Sequence, residues 1–283
     1  MARFTNQAQL AYRNRITTSN IAVGEILEVL SAAKHAVVET YESYDVITYV
    51  VSLVNSGTTA LTGLVLTDNL GAYTFNETSL FPLQYVANSL KYYVNGVLQT
   101  SPVIASREPL QIEGISIPAQ GNAVVIYQAA LTQFAPSATN STITNQAVIS
   151  GTGISSITVE ETISALAEPI LNITKSISPV PVTENGALTY TFVIENRGNV
   201  PADPVDLIVI TDQFNPILSD LTVTFNGTAW AEGTQYTYDQ TTGLFTTKAG
   251  EITVPAATFT QNADTGAWSV IPGTSTLVIT GTV

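Results

Sequence analysis

Residues 4–29 read FTNQAQLAYRNRITTSNIAVGEILEV, and residues 143–170 read ITNQAVISGTGISSITVEETISALAEPI. The two stretches share the run Thr-Asn-Gln-Ala, which begins at Thr5 in the first and at Thr144 in the second. Thr5 lies 29 residues before Lys34, and Thr144 lies 31 residues before Lys175. Each stretch therefore leads into the start of a longer internal repeat.

The two repeats keep the same order of residue types. In each, a lysine precedes a tyrosine by fifteen residues, and an aspartate closes a later apolar run. These residues are Lys34, Tyr49 and Asp68 in the first repeat and Lys175, Tyr190 and Asp212 in the second. The segments between them alternate apolar and polar residues and are broken by Asn, Gly and Pro, a pattern typical of β-sandwiches. Asn95-Gly96 and Asn226-Gly227 are predicted hairpin turns.

Composition sets limits on the class of protein. The 283 residues are 45% hydrophobic and 11% charged, which suits two β domains that each bury a core. With 9 Lys and Arg against 22 Asp and Glu, the net charge of −13 argues against a nucleic-acid surface. The chain has no cysteine and no apolar run of 18 residues, and its first residues lack the apolar stretch of a signal peptide. We therefore expect no disulfide, no membrane span and an export route that is not visible in the sequence.

The copied stretch also predicts the domain organisation. Residues 1–29 form an N-terminal strand pair, residues 30–168 a complete first domain, and residues 169–283 a second domain. Because no third copy follows the second repeat before Val283, we expect domain 2 to lack its terminal strands. Extra hairpins in domain 2 are predicted at 239–243 and 264–266, and no long helix is expected.

Five short motifs resemble a known family: Lys175-Ser-Ile-Ser-Pro179, Leu188-Thr-Tyr190, Glu195-Asn-Arg-Gly198, Thr211-Asp212 and Thr144-Asn-Gln-Ala147. They resemble the conserved-repeat domain of bacterial surface proteins, known as domain of unknown function eleven. The resemblance implies all-β, immunoglobulin-like β-sandwiches that serve in cell-surface proteins as stalks, adhesins and structural repeats. It thus implies an extracellular or cell-surface location.

The N-terminal strand pair has the features of a donor. A sandwich without its last strands exposes an apolar groove and unpaired backbone groups. Alternation places Phe4, Asn6, Ala8, Leu10 and Tyr12 on one face, and the returning strand adds the apolar residues Ile21 and Val23.

The acceptor is expected to be another subunit. Residues 27–30, which join the strand pair to domain 1, span only about 13–14 Å when extended, less than the length of a sandwich domain. Donation to a neighbour is head to tail and produces a homopolymeric filament. The alternative is a spare hairpin that packs on domain 1.

Three polar residue types share the inward faces of their strands. Alternation points Lys34, Asp68 and Asn145 into domain 1, points Lys175 and Asp212 into domain 2, and places Asn6 on the donor face. Buried polar groups are costly unless they meet one another, and burial favours the neutral forms of an amine and an acid. A neutral lysine beside a protonated acid can attack an asparagine carboxamide and form an isopeptide bond. The candidate bonds are Lys34–Asn145 within domain 1 and Lys175–Asn6 between subunits, with Asp68 and Asp212 as the acids. The alternatives are a hydrogen-bonded cluster, or strand-edge residues whose inward direction is broken by a bulge.

Other candidate sites have weaker support. The single histidine, His35, has no Ser or acid near it in a triad pattern, so we expect no catalytic residues and no enzyme activity. Asp203, Asp206 and Asp239 lack the spacing of a calcium loop, and no metal or other cofactor is predicted. The alternative function is a monomeric surface adhesin or binding module that contacts a glycan or protein through exposed aromatics such as Trp230 and Trp268.

Overall fold

The computed structural model describes residues 2–26 and 28–283, with the backbone alone at residues 2, 3, 25 and 26. The N-terminal strands are β1 (Ala2–Asn6), β2 (Gln9–Tyr12), β3 (Arg15–Thr18) and β4 (Ala22–Ile26). Within the described residues, the one helical element is the 3₁₀ turn Pro204–Asp206, and no helix is long and apolar enough to cross a membrane.

Fourteen further strands precede residue 170. They are β5 (Leu30–Ala36), β6 (Thr40–Tyr41), β7 (Val46–Asn55), β8 (Leu61–Asp68), β9 (Tyr73–Phe75), β10 (Thr78–Leu80), β11 (Leu83–Tyr85), β12 (Lys91–Val94), β13 (Val97–Gln99), β14 (Val103–Arg107), β15 (Leu110–Ile117), β16 (Asn122–Leu131), β17 (Thr142–Ser150) and β18 (Ile157–Ala165). The last ten strands are β19 (Leu171–Ser178), β20 (Ala187–Asn196), β21 (Thr211–Gln213), β22 (Ser219–Phe225), β23 (Thr228–Trp230), β24 (Tyr236–Asp239), β25 (Leu244–Thr247), β26 (Thr258–Gln261), β27 (Trp268–Ile271) and β28 (Gly273–Thr282).

Domain 1 is an immunoglobulin-like β-sandwich. One sheet has the order β13-β12-β16-β7-β5, with β11 also paired to β16, and the other has the order β14-β15-β8-β17-β18, with β6 beside the end of β18. Residues of β7 and β16 alternate between buried and partly exposed, as expected when one face of a sheet covers a core. Tyr49, Leu53, Leu66, Ile112 and Tyr127 are fully buried between the sheets.

Domain 2 repeats the first sheet and only part of the second. The order β19-β20-β28-β22-β23 matches β5-β7-β16-β12-β13 strand for strand. The opposing sheet contains only β21, β25 and β24, and a separate β26–β27 hairpin completes the domain. Its core is aromatic: the ring of Phe214 stacks on that of Tyr190 at 4.8 Å and contacts the rings of Tyr238 and Phe245.

The two domains differ at one strand. In domain 1, β8 has β15 on one side and β17 on the other, whereas β21, its counterpart, pairs with β25 and lies at the edge of its sheet. The described residues of domain 2 therefore contain nothing equivalent to β17 and β18. This uncovered edge is the feature from which the candidate site is built.

Among the described residues, the N-terminal strands pair with one another and with no other strand. β1 pairs with β4 and β2 with β3, each as a two-stranded antiparallel ladder. The continuous alternation predicted from Phe4 to Tyr12 is interrupted, because Gln7 and Ala8 lie outside both strands. Ser19, Asn20 and Ile21 lie opposite these two residues, so the returning chain carries one residue more and the ladder contains a bulge.

The turns occur where they were predicted. At Asn95-Gly96 both residues have positive φ (48° and 78°), and Asn226-Gly227 repeats those values within a degree (49° and 78°). Such angles match the type I′ turn, which joins antiparallel strands with the right twist. The predicted hairpins of domain 2 are also present, as β24–β25 and β26–β27.

Removal of the central aromatic ring of domain 2 should destabilise that domain selectively. Phe214→Ala deletes a fully buried ring with three aromatic neighbours and should cost about 3–5 kcal/mol of unfolding free energy. Calorimetry should show one lowered transition and one unchanged. Leu98→Ala, at an exposed position of β13, serves as the control and should leave both transitions in place. Equal loss from both transitions would contradict two independent cores.

Candidate functional site

A lysine, an aspartate and an asparagine meet in the core of domain 1. Nζ of Lys34 on β5 donates to Oδ2 of Asp68 on β8 at 2.5 Å and to the backbone oxygen of Asn145 on β17 at 2.9 Å. Lys34 is 2% exposed, and Asp68 and Asn145 are fully buried. The alternation of three strands in two facing sheets thus brings together the three residues that the sequence nominated for domain 1.

Two tyrosines surround this cluster. Nζ of Lys34 lies 4.8 Å from the ring centre of Tyr49, and that ring stacks on Tyr127 at 5.7 Å. The Tyr127 hydroxyl donates to Oδ2 of Asp68, the same oxygen that receives the lysine. Sequence reasoning missed Tyr127, although comparison of the repeats could have found it, because the residue at the equivalent position of domain 2 is Ile279. Tyr127 lies opposite Tyr49 in its sheet, just as Ile279 lies opposite Tyr190.

The Asn145 carboxamide is buried without a hydrogen bond of ordinary geometry at Oδ1 or Nδ2. It nevertheless lies near enough to the Tyr127 hydroxyl to oppose the rise in the pKa of that group. Most buried amides are well hydrogen-bonded, so a buried carboxamide without such a bond, on the residue whose backbone oxygen meets the Lys34 amine, requires a reason. A role as the electrophile in a reaction with Lys34 would supply one.

Burial controls the protonation of the amine and the phenol. Desolvation lowers the pKa of Lys34 from its ordinary value, and the opposing attraction of Asp68 does not cancel this effect. Desolvation also raises the pKa of Tyr127 well above its ordinary value, and the nearby Asp68 adds to that rise. Burial therefore shifts Lys34 towards its uncharged form, the nucleophilic form of an amine, beside a phenol that keeps its proton.

Domain 2 contains the same amine and acid without the rest of the cluster. Nζ of Lys175 on β19 donates to Oδ2 of Asp212 on β21. The ammonium lies over three rings, 4.2 Å from the centre of Tyr190, 5.4 Å from Phe192 and 5.6 Å from Phe214. The side chain of Lys175 is nevertheless 39% exposed, whereas that of Lys34 is fully buried. The lysine faces the core, and no strand described in domain 2 covers it.

The uncovered region extends along the strand. Leu171, Ile173 and Ile177 share the face of Lys175, and all three are exposed. Leu171 is 37% exposed, whereas Leu30, its counterpart in domain 1, is 7% exposed. We call this surface, formed by the inward residues of β19 and the free edge of β21, the acceptor groove.

The candidate donor residues are also solvent-exposed. Phe4 is 53% exposed and Leu10 is 61% exposed, and Asn6, Ala8, Tyr12, Ile21 and Val23 are exposed as well. Exposed apolar residues on a short hairpin are unfavourable in water unless a partner covers them. The pairing of Asn6 with Lys175 of another chain remains a prediction.

The remaining candidates are ordinary surface groups. His35 is exposed, with Nδ1 3.7 Å from Oε2 of Glu161. Oδ2 of Asp206 accepts a hydrogen bond from the Asp203 amide, and Asp239 accepts from the Thr241 amide and the Thr242 hydroxyl, which lowers its pKa. Among the described residues no three His, Cys, Asp or Glu side chains form a potential metal site. Trp230 stacks on Phe225 at 5.0 Å, and Trp268 is partly buried.

No family model matches the chain, and no curated protein matches it. Among solved structures, it is similar to BcpA, the major pilin subunit of Bacillus cereus, with 9% identity, a TM-score of 0.36, and coverage of 96% of this chain and 73% of BcpA. It is also similar to the pilus backbone protein RrgB of Streptococcus pneumoniae, with 10% identity, a TM-score of 0.32, and coverage of 86% of this chain and 55% of RrgB. A third similar structure is the collagen-binding subdomain of the Enterococcus faecalis surface protein ACE, with 8% identity, a TM-score of 0.30, and coverage of 50% of this chain and 99% of that one. At such identities and TM-scores the likeness does not extend to a shared activity or partner.

The lowered pKa of Lys34 predicts that the stability of domain 1 depends on pH in a variant that cannot form a Lys34–Asn145 isopeptide bond. In Asn145→Ala, Lys34 of folded domain 1 releases its proton at a lower pH than in the unfolded chain. The unfolding free energy should therefore rise as the pH increases from the lowered pKa of Lys34 towards the ordinary lysine value of 10.5. The double variant Asn145→Ala, Lys34→Met should lack this contribution. Urea unfolding at several pH values measures this contribution. Equal changes of unfolding free energy with pH in the two variants would refute it.

Proposed function

We propose that the protein is the structural subunit of an extracellular filament. Each subunit inserts its N-terminal strands into the acceptor groove of a neighbour's domain 2, and assembly proceeds head to tail. The resemblance to bacterial surface repeats supports a place outside the cell, and the acceptor groove supports assembly. The protein acts as a building element without a cofactor, and its partner is another copy of itself.

One observation carries this proposal. Domain 1 buries Lys34 and Asp68 completely beside β17, whereas the side chains of Lys175 and Asp212 are 39% and 18% exposed at the same place in domain 2. The chain carries a second version of the covering strand at its N-terminus, with the same Thr-Asn-Gln-Ala run. The shared run and the apolar character of residues 4–12 both support this segment as the occupant.

Insertion would bury the apolar residues of both partners. Each large apolar side chain that leaves water contributes about 1.5–3 kcal/mol, and the free edge of β21 adds backbone hydrogen bonds. Phe4, Leu10 and Ile173 are among the residues that would be covered. Such a joint need not close on itself, because donor and acceptor are different surfaces of one subunit.

We further propose that isopeptide bonds lock the structure. The neutral Nζ of Lys34 attacks Cγ of the Asn145 carboxamide, forming a C–N bond, while the Cγ–Nδ2 bond breaks. Asp68 transfers the amine proton to the departing nitrogen, so that ammonia leaves and no oxidant is required. Lys175, Asp212 and Asn6 of the next subunit would react in the same way across the joint.

Removal of the donor should prevent assembly and leave both domains folded. Deletion of residues 1–18 leaves the acceptor groove without a partner strand, so electron microscopy should show no filaments. A synthetic peptide of residues 1–26 should bind this truncated protein and block growth of the intact one. Ordinary filaments from the truncated protein would rule out donation by this segment.

A matched pair of variants separates apolar insertion from a general charge effect. Leu10→Glu places a charge on the donor face and should weaken assembly at least tenfold, since about 1.5–3 kcal/mol of burial is lost. Gln9→Glu adds the same charge on the opposite face of β2 and should assemble as the parent does. Equal impairment in both variants would show that charge alone, without insertion, controls assembly.

The covalent joint is tested by denaturing electrophoresis of boiled filaments. A ladder of multiples of the subunit should appear and should be lost in Asn6→Ala and in Lys175→Ala. The bond inside domain 1 should lower the intact mass by one ammonia in the parent and not in Asn145→Ala. A single monomer band from authentic filaments would exclude the intersubunit bond and favour a hydrogen-bonded cluster.

A further inference from the structure

We propose that the donor strand docks in one register, with Ala8 opposite Asp212, and that the kink at Gln7 and Ala8 straightens as it docks. This inference rests on the proposed function and specifies its joint residue by residue. Domain 1 supplies the template, because β17 already occupies the equivalent place beside β8.

The template fixes the pairing. Ala147 lies opposite Asp68, Val148 opposite Thr67, and Ile149 opposite Leu66. The shared Thr-Asn-Gln-Ala run relates the two donor strands, and the repeats relate Asp68 to Asp212. The corresponding pairs across the joint are Ala8 with Asp212, Gln9 with Thr211, and Leu10 with Ile210.

The backbone of the acceptor groove is arranged for this register. In domain 1, the Asn69 amide donates to the Gln146 oxygen at 2.9 Å. Gln213 is the counterpart of Asn69. The nearby residues Ile210 and Phe214 form their backbone bonds on the β25 side. Because successive residues of a strand direct their backbone groups to opposite sides, the backbone of Gln213 points to the free edge, where Gln7 of the donor would meet it.

The free donor hairpin cannot dock as it stands. β17 is one continuous strand, Thr142–Ser150, whereas the equivalent donor residues are divided between β1 and β2. Ser19 holds the kink: its amide donates to the Ala8 oxygen at 2.9 Å, and its hydroxyl accepts from the Ala8 amide at 3.0 Å. Docking in the template register extends Gln7 and Ala8 into one strand. The Gln7 backbone then pairs with the free edge of β21, while the Ala8 amide and oxygen still face the returning strand, as those of Ala147 face away from β8 in domain 1.

A single aromatic side chain anchors the donor. The Thr144 and Thr162 hydroxyls are 2.8 Å apart on neighbouring strands, which places the buried residues Ile143 and Ile163 side by side. In the donor hairpin the equivalent pair is Phe4 opposite Gly24, and the Phe4 ring lies where a side chain at Gly24 would stand. Phe4 therefore fills the volume that two isoleucines share in domain 1.

Cysteine pairs test the register, because the chain has no cysteine of its own. In an Asn6→Ala background, where no isopeptide can link subunits, Gln9→Cys with Thr211→Cys should give a reducible ladder on mild oxidation. The control pair, Gln9→Cys with Val209→Cys, is shifted by two residues and should link at least about tenfold less, since its cysteines are too far apart to bridge. Equal or stronger linkage in the control would overturn the register.

The outcome is separable from that of the proposed function. If the parent chain forms no filaments, strand donation itself fails, whatever the cysteine pairs do. If filaments form and the control pair links better, donation stands and the register is wrong.

A compensating pair tests the anchor. Gly24→Val places a branched side chain against the Phe4 ring and should slow assembly, whereas the double variant Phe4→Ile, Gly24→Ile copies Ile143 and Ile163 and should recover it. Parental assembly by Gly24→Val would overturn the anchor.

Discussion

The structure depends on the burial of a lysine. An amine in an apolar core is unfavourable unless it is neutral, paired or bonded, and domain 1 places Lys34 against Asp68, Asn145 and two tyrosines. Each partner comes from a different strand, so the cluster links both sheets. A single strand, β17, separates a closed cluster from one that remains open.

Domain 2 shows the effect of leaving that strand out. Its lysine keeps the acid and gains three aromatic neighbours, yet remains partly in water. The acid has also lost the tyrosine hydroxyl that Tyr127 supplies in domain 1, because Ile279 occupies that position. The two sites therefore share a lysine–aspartate pair without being equivalent, and the closed one has the fuller set of hydrogen bonds.

The conformation of the donor segment fits with this asymmetry. A hairpin that exposes Phe4 and Leu10 has little stability of its own, and its ladder is broken at Gln7 and Ala8. The Ser19 contacts satisfy the backbone groups that the kink would otherwise leave open. In the proposed assembly, the short strands β1 and β2 would become one continuous strand in the sheet of another subunit.

The sequence by itself determined the all-β class, the internal repeat, the Asn-Gly turns and the inward direction of Lys34, because period-2 alternation and turn chemistry are local properties. It also nominated Asp68 and Asn145, since a residue's face follows from its position in a strand. Only the tertiary structure decided that Lys34 contacts Asp68 and the backbone of Asn145, that Tyr127 joins them, and that Lys175 stays exposed. Those facts depend on which strands face one another across two sheets. The kink at Gln7 and Ala8 also lay beyond the sequence, because the bulge arises from pairing with Ser19–Ile21 and not from the residues that bend.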